Sequence, residues 1–174
     1  MLVKKCIISL MLIVTYSQES LMAMTLGQNQ ANLDVTDFFI AVAGSDADEI
    51  IRMLDLGLDI NTTALPGAHS IGETALQRAA CDGNCAIVQL LLDRNADVNH
   101  QNDSGRTALM YAVGSDSYEV VDLLISAGAD VNLIDTDGNK ACNLLDEEDE
   151  SFREERYKIR QLLESLQSTE YVLK

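Results

Sequence analysis

Residues 72–99 have the sequence GETALQRAACDGNCAIVQLLLDRNADVN, and residues 105–132 have the sequence GRTALMYAVGSDSYEVVDLLISAGADVN. The two stretches share a glycine start, a Thr-Ala-Leu triplet, an aliphatic second half and a closing Ala-Asp-Val-Asn. Gly72, Gly105 and Gly138 follow one another at intervals of 33 residues. A constant period of about 20 to 50 residues is typical of proteins built from stacked repeats. The sequence therefore predicts a repeat fold.

Each unit carries the pattern of two short helices. Thr74 and Thr107 stand where a hydroxyl can accept a hydrogen bond from the first helical turn, and Gln77 completes a capping box with Thr74. Asn95 and Gly128 suit the left-handed position that follows the second helix. The second helix has an apolar stripe at i, i+1, i+4 and i+5, formed by Ile87, Val88, Leu91 and Leu92 and, one unit later, by Val120, Val121, Leu124 and Ile125.

These features together resemble the ankyrin repeat, a unit of about 33 residues with two helices and a β-turn. The resemblance implies an all-α ankyrin-repeat solenoid of about four helix-turn-helix units, joined by β-turn fingers and closed by terminal caps. The usual family motif T-P-L-H is T-A-L-Q at residues 74–77 and T-A-L-M at residues 107–110. The missing histidine predicts the loss of a hydrogen bond that typically links neighbouring repeats.

The terminal units are irregular. In the first, Phe38 takes the place of Leu76, the opening turn is missing, and Asp34 or Thr36 can cap the first helix. In the fourth, Cys142 takes the place of a core leucine, and the acidic run DEEDES precedes the last helix. The predicted organisation is a signal peptide (1–23), a lead-in (24–33), a repeat domain (34–167, with units at about 34–66, 69–101, 102–134 and 135–167) and a tail (168–174).

Residues 1–23 have the layout of a secretory signal peptide. Lys4 and Lys5 precede an apolar run, and small residues follow it up to Ala23. Cleavage after Ser17 or after Ala23 fits this layout. The run is much shorter than the roughly 20 residues of a membrane-spanning helix. It predicts export to the periplasm or the medium, with no stable membrane insertion after cleavage. The alternative is a hydrophobic helix that packs against the first repeat.

The chain is strongly acidic. It has 12 Lys and Arg against 28 Asp and Glu, a formal net charge of −16. Removal of residues 1–23, which carry two lysines and one glutamate, would leave −17, because −16 less +1 is −17. This charge disfavours nucleic acid and anionic lipid as partners and favours a basic protein partner with salt-sensitive association. A merely solvated acidic surface is the alternative.

The sequence predicts neither enzyme activity nor a metal or cofactor. Residues 135–139, DTDGN, resemble part of a calcium loop, but the first and last ligands would then be Leu133 and Leu144. The turn of the repeat explains the motif better. His69 and His100 belong to turns of different units, so a catalytic Cys–His pair remains a minor alternative.

The cysteines allow two interpretations. Cys81 and Cys85 flank the turn between the two helices of one unit, and in an exported protein they could form a local disulfide. They could equally be two partly exposed thiols. Cys142 aligns with core leucines, so we expect it to be buried.

The resemblance also implies where a partner binds. Ankyrin proteins bind through the finger tips and the inner face of the first helices. Tyr111 with Arg106 is the expected anchor pair, because Tyr and Arg dominate interface hot spots. By position, the implied surface consists of Ile71, Glu73, Arg78, Cys81, Asp82, Gln101, Asp103, Ser104, Arg106, Tyr111, Gly114, Ser115, Ile134, Thr136, Asp137 and Asn139.

The leading functional hypothesis is a non-enzymatic, exported protein that binds one partner, in the manner of an inhibitor or immunity protein for a basic enzyme. An ankyrin protein with a signal peptide resembles small bacterial periplasmic ones. The alternatives are a chaperone-like stabiliser of an exported enzyme, a secreted effector that binds a host protein, and a thiol-redox protein that uses Cys81 and Cys85.

Overall fold

The computed structural model describes residues 34–64, 72–145 and 153–170. In this part of the chain the only strand-like pairing is a single antiparallel bridge between Thr63 and Thr74. The predicted all-α repeat solenoid is confirmed. The described helices are α1 (Val35–Ala43), α2 (Ala47–Asp55), α3 (Ala75–Cys81), α4 (Cys85–Asp93), α5 (Ala108–Gly114), α6 (Tyr118–Ser126), a 3₁₀ helix (Ala141–Leu144) and α7 (Arg153–Glu170).

The helices begin where the sequence places a capping side chain. Asp34, rather than Thr36, caps α1 by accepting a hydrogen bond from the Thr36 amide. Thr74 and Gln77 form the predicted capping box at the start of α3. Thr107 caps α5 by accepting from the amide of Met110. Each of these bonds satisfies an amide of the first turn that has no partner inside the helix.

Left-handed residues end the second helix of each repeat. Asn95 follows α4 with φ of 64°, and Gly128 follows α6 with φ of 91°. Both conformations confirm the sequence prediction. Glycine and asparagine adopt this region at the lowest cost, and the chain can then leave the helix toward the next finger.

Neighbouring units stack helix on helix, with α3 against α5, α4 against α6, and α7 against α6. Leu92 and Ile125, which the predicted stripe includes, are only half-buried, because position i+5 lies about 140° around the helix from position i. The stacked core is at most 2% exposed and consists of Ala75, Leu76, Ala79, Ala80, Ile87, Val88 and Leu91, with the equivalents Ala108, Leu109, Ala112, Val113, Val120, Val121 and Leu124.

The repeated Asp-x-Asn triplet links each unit to the next. The Asn61 side chain accepts a hydrogen bond from the Asp97 amide at 2.8 Å. Asn99 accepts from the Asp130 amide at 2.8 Å and donates to the Gly128 carbonyl at 3.2 Å. The sequence shows these triplets as a repeated motif but does not predict the hydrogen bonds that they make between units.

The fourth unit departs from the prediction. Its first helix is a single 3₁₀ turn, and Cys142 is half-buried rather than a core residue. Ala141 and Leu145 are buried instead. A 3₁₀ helix has three residues per turn rather than 3.6, so its side chains do not repeat the spacing of α5.

The last helix, α7, covers the end of the stack. Ile159 and Leu163 are fully buried along it. Arg156 donates two hydrogen bonds to Asp116 at 2.8 and 2.9 Å. Asp116 lies in the turn between α5 and α6 and has φ of 55°. An ion pair of side chains 20% and 11% exposed therefore fastens α7 to the third unit.

Several predicted features lie outside the described residues. They are the signal peptide, the lead-in, His69, the acidic run DEEDES and residues 171–174. α7 continues to Glu170, beyond the predicted domain end at 167. None of the described helices is both long and apolar enough to cross a membrane.

Candidate partner-binding surface

One polar side chain lies buried under each described finger. Asn102 accepts hydrogen bonds from the amides of Ser104 and Arg106 at 3.1 and 2.9 Å. In the next finger, 33 residues on, Asp135 accepts from the amides of Asp137 and Asn139 at 3.0 and 2.8 Å. Both acceptors are 5% exposed. The interpretation of DTDGN as a repeat turn is thereby confirmed.

The two fingers are bonded to each other. The side-chain amide of Gln101 donates to the Ile134 carbonyl at 2.9 Å and to the Gly105 carbonyl at 2.7 Å. The Thr136 amide donates to the Ser104 carbonyl at 3.0 Å. Two of the predicted binding residues therefore use their polar groups to hold the fingers side by side.

Arg106 and Asp135 form an ion pair between the fingers, with 3.9 Å between Nε and Oδ2. The pKa of Asp135 lies below its usual value, mainly because the Asn139 backbone amide donates a hydrogen bond to the carboxylate. Hydrogen bonds from the Asn139 side chain and the Asp137 backbone, together with the Arg106 charge, lower the pKa further, whereas desolvation raises it. The carboxylate therefore stays ionised beneath the finger. Arg106 remains 42% exposed and can still meet a partner.

The inner helices supply the other part of the surface. Arg78 pairs with Asp82 at 3.0 Å. The side-chain amide of Asn102 donates to the Tyr111 hydroxyl at 2.8 Å. This bond joins the half-buried tyrosine to the finger turn. The Ser115 hydroxyl bonds to the carbonyls of Ala80 and Ala112, each at 3.1 Å.

Gln77 replaces the histidine that the family motif has at this position. Its amide donates to the carbonyls of His100 and Arg106 at 2.9 and 2.8 Å, across two units. Its carbonyl oxygen accepts from the Thr74 amide at 2.9 Å. The predicted loss of the bond between repeats is therefore wrong at Gln77, because a primary amide has two N–H donors of its own.

Most of the predicted surface is accessible, with one correction. Glu73 is buried, at 3% exposed, because its backbone bonds to Ala64 beside the Thr63–Thr74 bridge. Ile71 lies outside the described residues. His100 is half-buried, with Nε2 3.2 Å from the Gly72 carbonyl. The exposed predicted residues are Cys81, Asp82, Gln101, Asp103, Ser104, Gly114, Ile134, Thr136 and Asp137, and the half-buried ones are Arg78, Arg106, Tyr111, Ser115 and Asn139.

The basic residues are already engaged within the chain. Each lysine and arginine side chain that the structure describes has an acceptor beside it. Added charge on the finger surface therefore comes from exposed carboxylates such as Asp103 and Asp137. The pairs are Arg52 with Glu49, Arg78 with Asp82, Arg94 with Asp55, Arg106 with Asp135, Arg156 with Asp116, Lys158 with Glu154, Arg160 with the Leu145 carbonyl and Lys140 with Asn132.

Cys81 and Cys85 are free thiols in the structure. Cys81 ends α3 and is exposed, and Cys85 begins α4 and is half-buried. Burial raises the pKa of Cys81, and the charges of Asp82 and Glu73 raise it further. Burial, followed by the charge of Glu119, raises the pKa of Cys85. A raised pKa keeps a thiol protonated and lowers its reactivity.

The chain resembles known proteins over the same repeats. A sequence model for ankyrin repeats, in three copies, matches residues 38–135. The match begins at Phe38 in the irregular first unit and ends at Asp135 in the last described finger. It therefore spans α1 to α6, the part of the structure in which two helices pair in each unit.

Known proteins match parts of the chain. Over 66 residues the chain is 39% identical to potassium channel AKT1 of Oryza sativa subsp. indica, which is 38% of this chain and 6% of the channel. It is 38% identical to inversin of Gallus gallus over 73 residues, 41% of this chain and 6% of inversin. It is 36% identical to the putative ankyrin repeat protein YahD of Escherichia coli (strain K12) over 66 residues, 38% of this chain and 30% of YahD. The matched segment spans less than a third of each relative.

Proposed function

The chain belongs to the ankyrin repeat family, and from this premise we propose that it is an exported, non-enzymatic protein that binds one basic protein partner. Ankyrin repeats form protein–protein interaction modules, and a model of these repeats matches residues 38–135. The observation that carries the proposal is the finger surface, where rigid turns present exposed carboxylates while the neighbouring arginines are paired.

Charge supports a basic partner. The net charge is −16, and the described cations are already bonded to acceptors in the chain. A partner that supplies cations would face exposed carboxylates such as Asp103 and Asp137, for which the described residues show no ion pair. Complementary charge raises the association rate and makes the affinity depend on ionic strength.

Export is supported by the first 23 residues, with Lys4 and Lys5 before a short apolar run. The test is the N-terminus of the protein recovered from the exported fraction, measured by mass spectrometry. We expect it to begin at Met24 or at Gln18. A chain that keeps Met1 and stays in the cytosol would overturn the export proposal.

Inhibition of the partner is the form of binding that we favour, since an acidic protein can cover a basic active-site region. Stabilisation of an exported enzyme and binding of a host protein are the alternatives within the same class. Activity of the partner in the complex separates them. Loss of activity supports inhibition, whereas full activity with a higher melting temperature supports stabilisation.

The first experiment is a capture from the exported fraction with residues 24–174 as bait at low salt and elution at high salt. The purified complex is then titrated at several salt concentrations. We expect the affinity to fall about tenfold or more between low and physiological ionic strength. An affinity that does not change with salt would remove the electrostatic basis of the proposal.

A matched pair of variants tests whether the partner binds to the fingers. Asp137→Lys reverses a charge at an exposed finger residue, and Asp122→Lys makes the same charge change on the outer helix α6. We expect Asp137→Lys to weaken binding about tenfold and Asp122→Lys to weaken it far less. Equal effects of the two variants would indicate that only net charge matters.

The thiol-redox alternative has its own test. Both thiols can be removed together by Cys81→Ser and Cys85→Ser, since neither is fully buried. Under the binding proposal, affinity for the partner stays within about twofold, because Cys85 lies outside the predicted surface, and at Cys81, which belongs to that surface, serine changes neither charge nor size by much. Loss of function in this double variant would favour the redox hypothesis.

A further inference from the structure

We propose that Gln77 is a positioning residue that makes the finger of residues 101–105 the rigid part of the partner-binding surface, whereas the finger of residues 134–138 has Met110, which cannot donate a hydrogen bond, at the equivalent position. The inference rests on the proposed function in one respect, that the fingers meet the partner. Its structural half can be tested on the protein alone.

Both the oxygen and the nitrogen of the Gln77 side-chain amide are held by hydrogen bonds. The oxygen accepts from the Thr74 amide, so the nitrogen must point toward the next unit, where it reaches the His100 and Arg106 carbonyls. These two carbonyls lie on either side of the finger of residues 101–105. Gln77 is 1% exposed, so water does not compete for its bonds. One buried side chain therefore clamps both sides of the finger base.

The next unit provides the contrast. Met110 stands 33 residues after Gln77 and is also buried, at 2% exposed. A thioether has no N–H group, so it cannot donate to the carbonyls at the base of the second finger. That finger has the turn bonds to Asp135 and is tied to the first finger by the Gln101 side chain, the Thr136 backbone and the Arg106–Asp135 ion pair. The clamp made by Gln77 is therefore what distinguishes the first finger from the second.

Rigidity of this kind acts on affinity. A finger that is already in its bound shape loses less conformational freedom when a partner arrives. The clamped finger carries Asp103, Ser104 and Arg106, and its Asn102 holds Tyr111. Gln77 would thus act on the partner through these residues without touching it.

The test uses two reciprocal variants and hydrogen exchange. Gln77→Met gives the second unit the side chain of the third, and Met110→Gln does the reverse. The probes are the amides of Asn102 and Arg106 in the first finger and of Asp135 and Asn139 in the second, all bonded within their turns. Exchange of core amides in α4 serves as the internal reference for global stability.

In Gln77→Met we expect the amides of Asn102 and Arg106 to exchange about tenfold faster relative to α4, with a smaller change at Asp135 and Asn139. In Met110→Gln we expect the second finger to exchange more slowly. Unchanged exchange of the finger amides in both variants would overturn the proposal. Should Gln77→Met fail to fold, Met110→Gln decides alone.

The functional part of the proposal is tested by measuring binding to the partner recovered in the capture experiment. We expect Gln77→Met to bind it about tenfold more weakly and mainly through faster dissociation, with the salt dependence unchanged. Faster exchange with unchanged affinity would refute the positioning role while leaving the proposed function intact. Absence of any partner for the unaltered chain would instead refute the proposed function, and the exchange result would stand by itself.

Discussion

Gly105 and Gly138 occupy the same place in successive fingers and have similar backbone conformations, with φ of 71° and 82°. Their surroundings differ. A Cβ at Gly105 would lie 3.0 Å from the Asp135 Cα and the Thr136 nitrogen, whereas nothing lies within 4 Å at Gly138. Gly105 therefore allows the next finger to approach, and Gly138 has no such neighbour among the described atoms.

We expect Gly105→Ala to lower the free energy of unfolding by about 3 kcal/mol, the sum of left-handed strain and a backbone clash. Gly138→Ala is the matched control and should cost only the strain, about 1 kcal/mol. Urea denaturation of both variants measures the difference. Equal losses would mean that the fingers separate readily to admit the extra methyl group.

Asp135 and Asn102 accept the same pair of backbone hydrogen bonds in successive fingers, although only Asp135 carries a charge. The folded-state pKa of Asp135 lies below its ordinary value of 3.8, chiefly because of the Asn139 amide. Its charge therefore stabilises the fold above about pH 4, and this contribution disappears as the pH falls through the lower folded pKa. Asn102, which accepts the same two backbone bonds, is neutral throughout.

We expect Asp135→Asn to make stability less sensitive to acid, because an amide oxygen keeps the two turn bonds and does not titrate there. The urea midpoint at pH 7 and pH 3 measures this, and the fall should be smaller than in the unaltered protein. Asp137→Asn, on the exposed side of the same turn, is the control and should retain the full fall. A variant as acid-sensitive as the parent would contradict this account.

At the scale of elements, α7 is attached by both apolar and polar side chains. Among its described side chains, Ile159 and Leu163 are fully buried, Arg156 is bonded to Asp116, and Arg160 donates to the Leu145 carbonyl. Burying two aliphatic side chains contributes about 3–6 kcal/mol. The ion pair of Arg156 with Asp116 adds a contact to the third unit.

We expect Arg156→Met to lower the free energy of unfolding by about 2 kcal/mol, because it leaves the mostly buried Asp116 carboxylate without its partner. Lys158→Met removes a pair with exposed Glu154 and Glu155 and should cost less than about 0.5 kcal/mol. Thermal melts followed by circular dichroism compare the two. Similar losses would show that burial of the Asp116 pair is unimportant.

At the scale of the whole molecule, the dominant feature is excess negative charge. The chain has 28 Asp and Glu against 12 Lys and Arg, so carboxylates in excess of the cations repel one another. Self-repulsion of this kind destabilises a compact state and is screened by salt. Repeat proteins are sensitive to it, because each unit contacts only its neighbours.

We therefore expect the melting temperature to rise by about 4 °C, roughly 1 kcal/mol, when sodium chloride is raised from about 20 mM to 500 mM. The melting temperature of Arg156→Met should rise by at least as much, since the substitution removes a cation and makes the net charge more negative. A melting temperature that falls with salt would mean that ion pairs, rather than repulsion, control stability.

The sequence by itself determined the period, the helix caps at Thr74 and Thr107, and the left-handed positions at Asn95 and Gly128, and it narrowed the cap of α1 to Asp34 or Thr36. These features depend on backbone conformation and on bonds between residues two to four apart, so the local sequence contains their cause. The predicted finger surface was implied by the resemblance to ankyrin repeats. Its exposed members, such as Asp103 and Asp137, lie in the two described fingers.

Only the tertiary structure decided the burial of Glu73, the half-exposure of Cys142, the clamp made by Gln77 and the pairing of Arg156 with Asp116. Gln77 meets carbonyls 23 and 29 residues away, and Arg156 meets Asp116 across 40 residues. Such contacts form when units stack, and stacking brings together side chains whose spacing along the chain carries no local signal. The reason is physical: capping and turn geometry are local, whereas burial and partner choice depend on how the units pack.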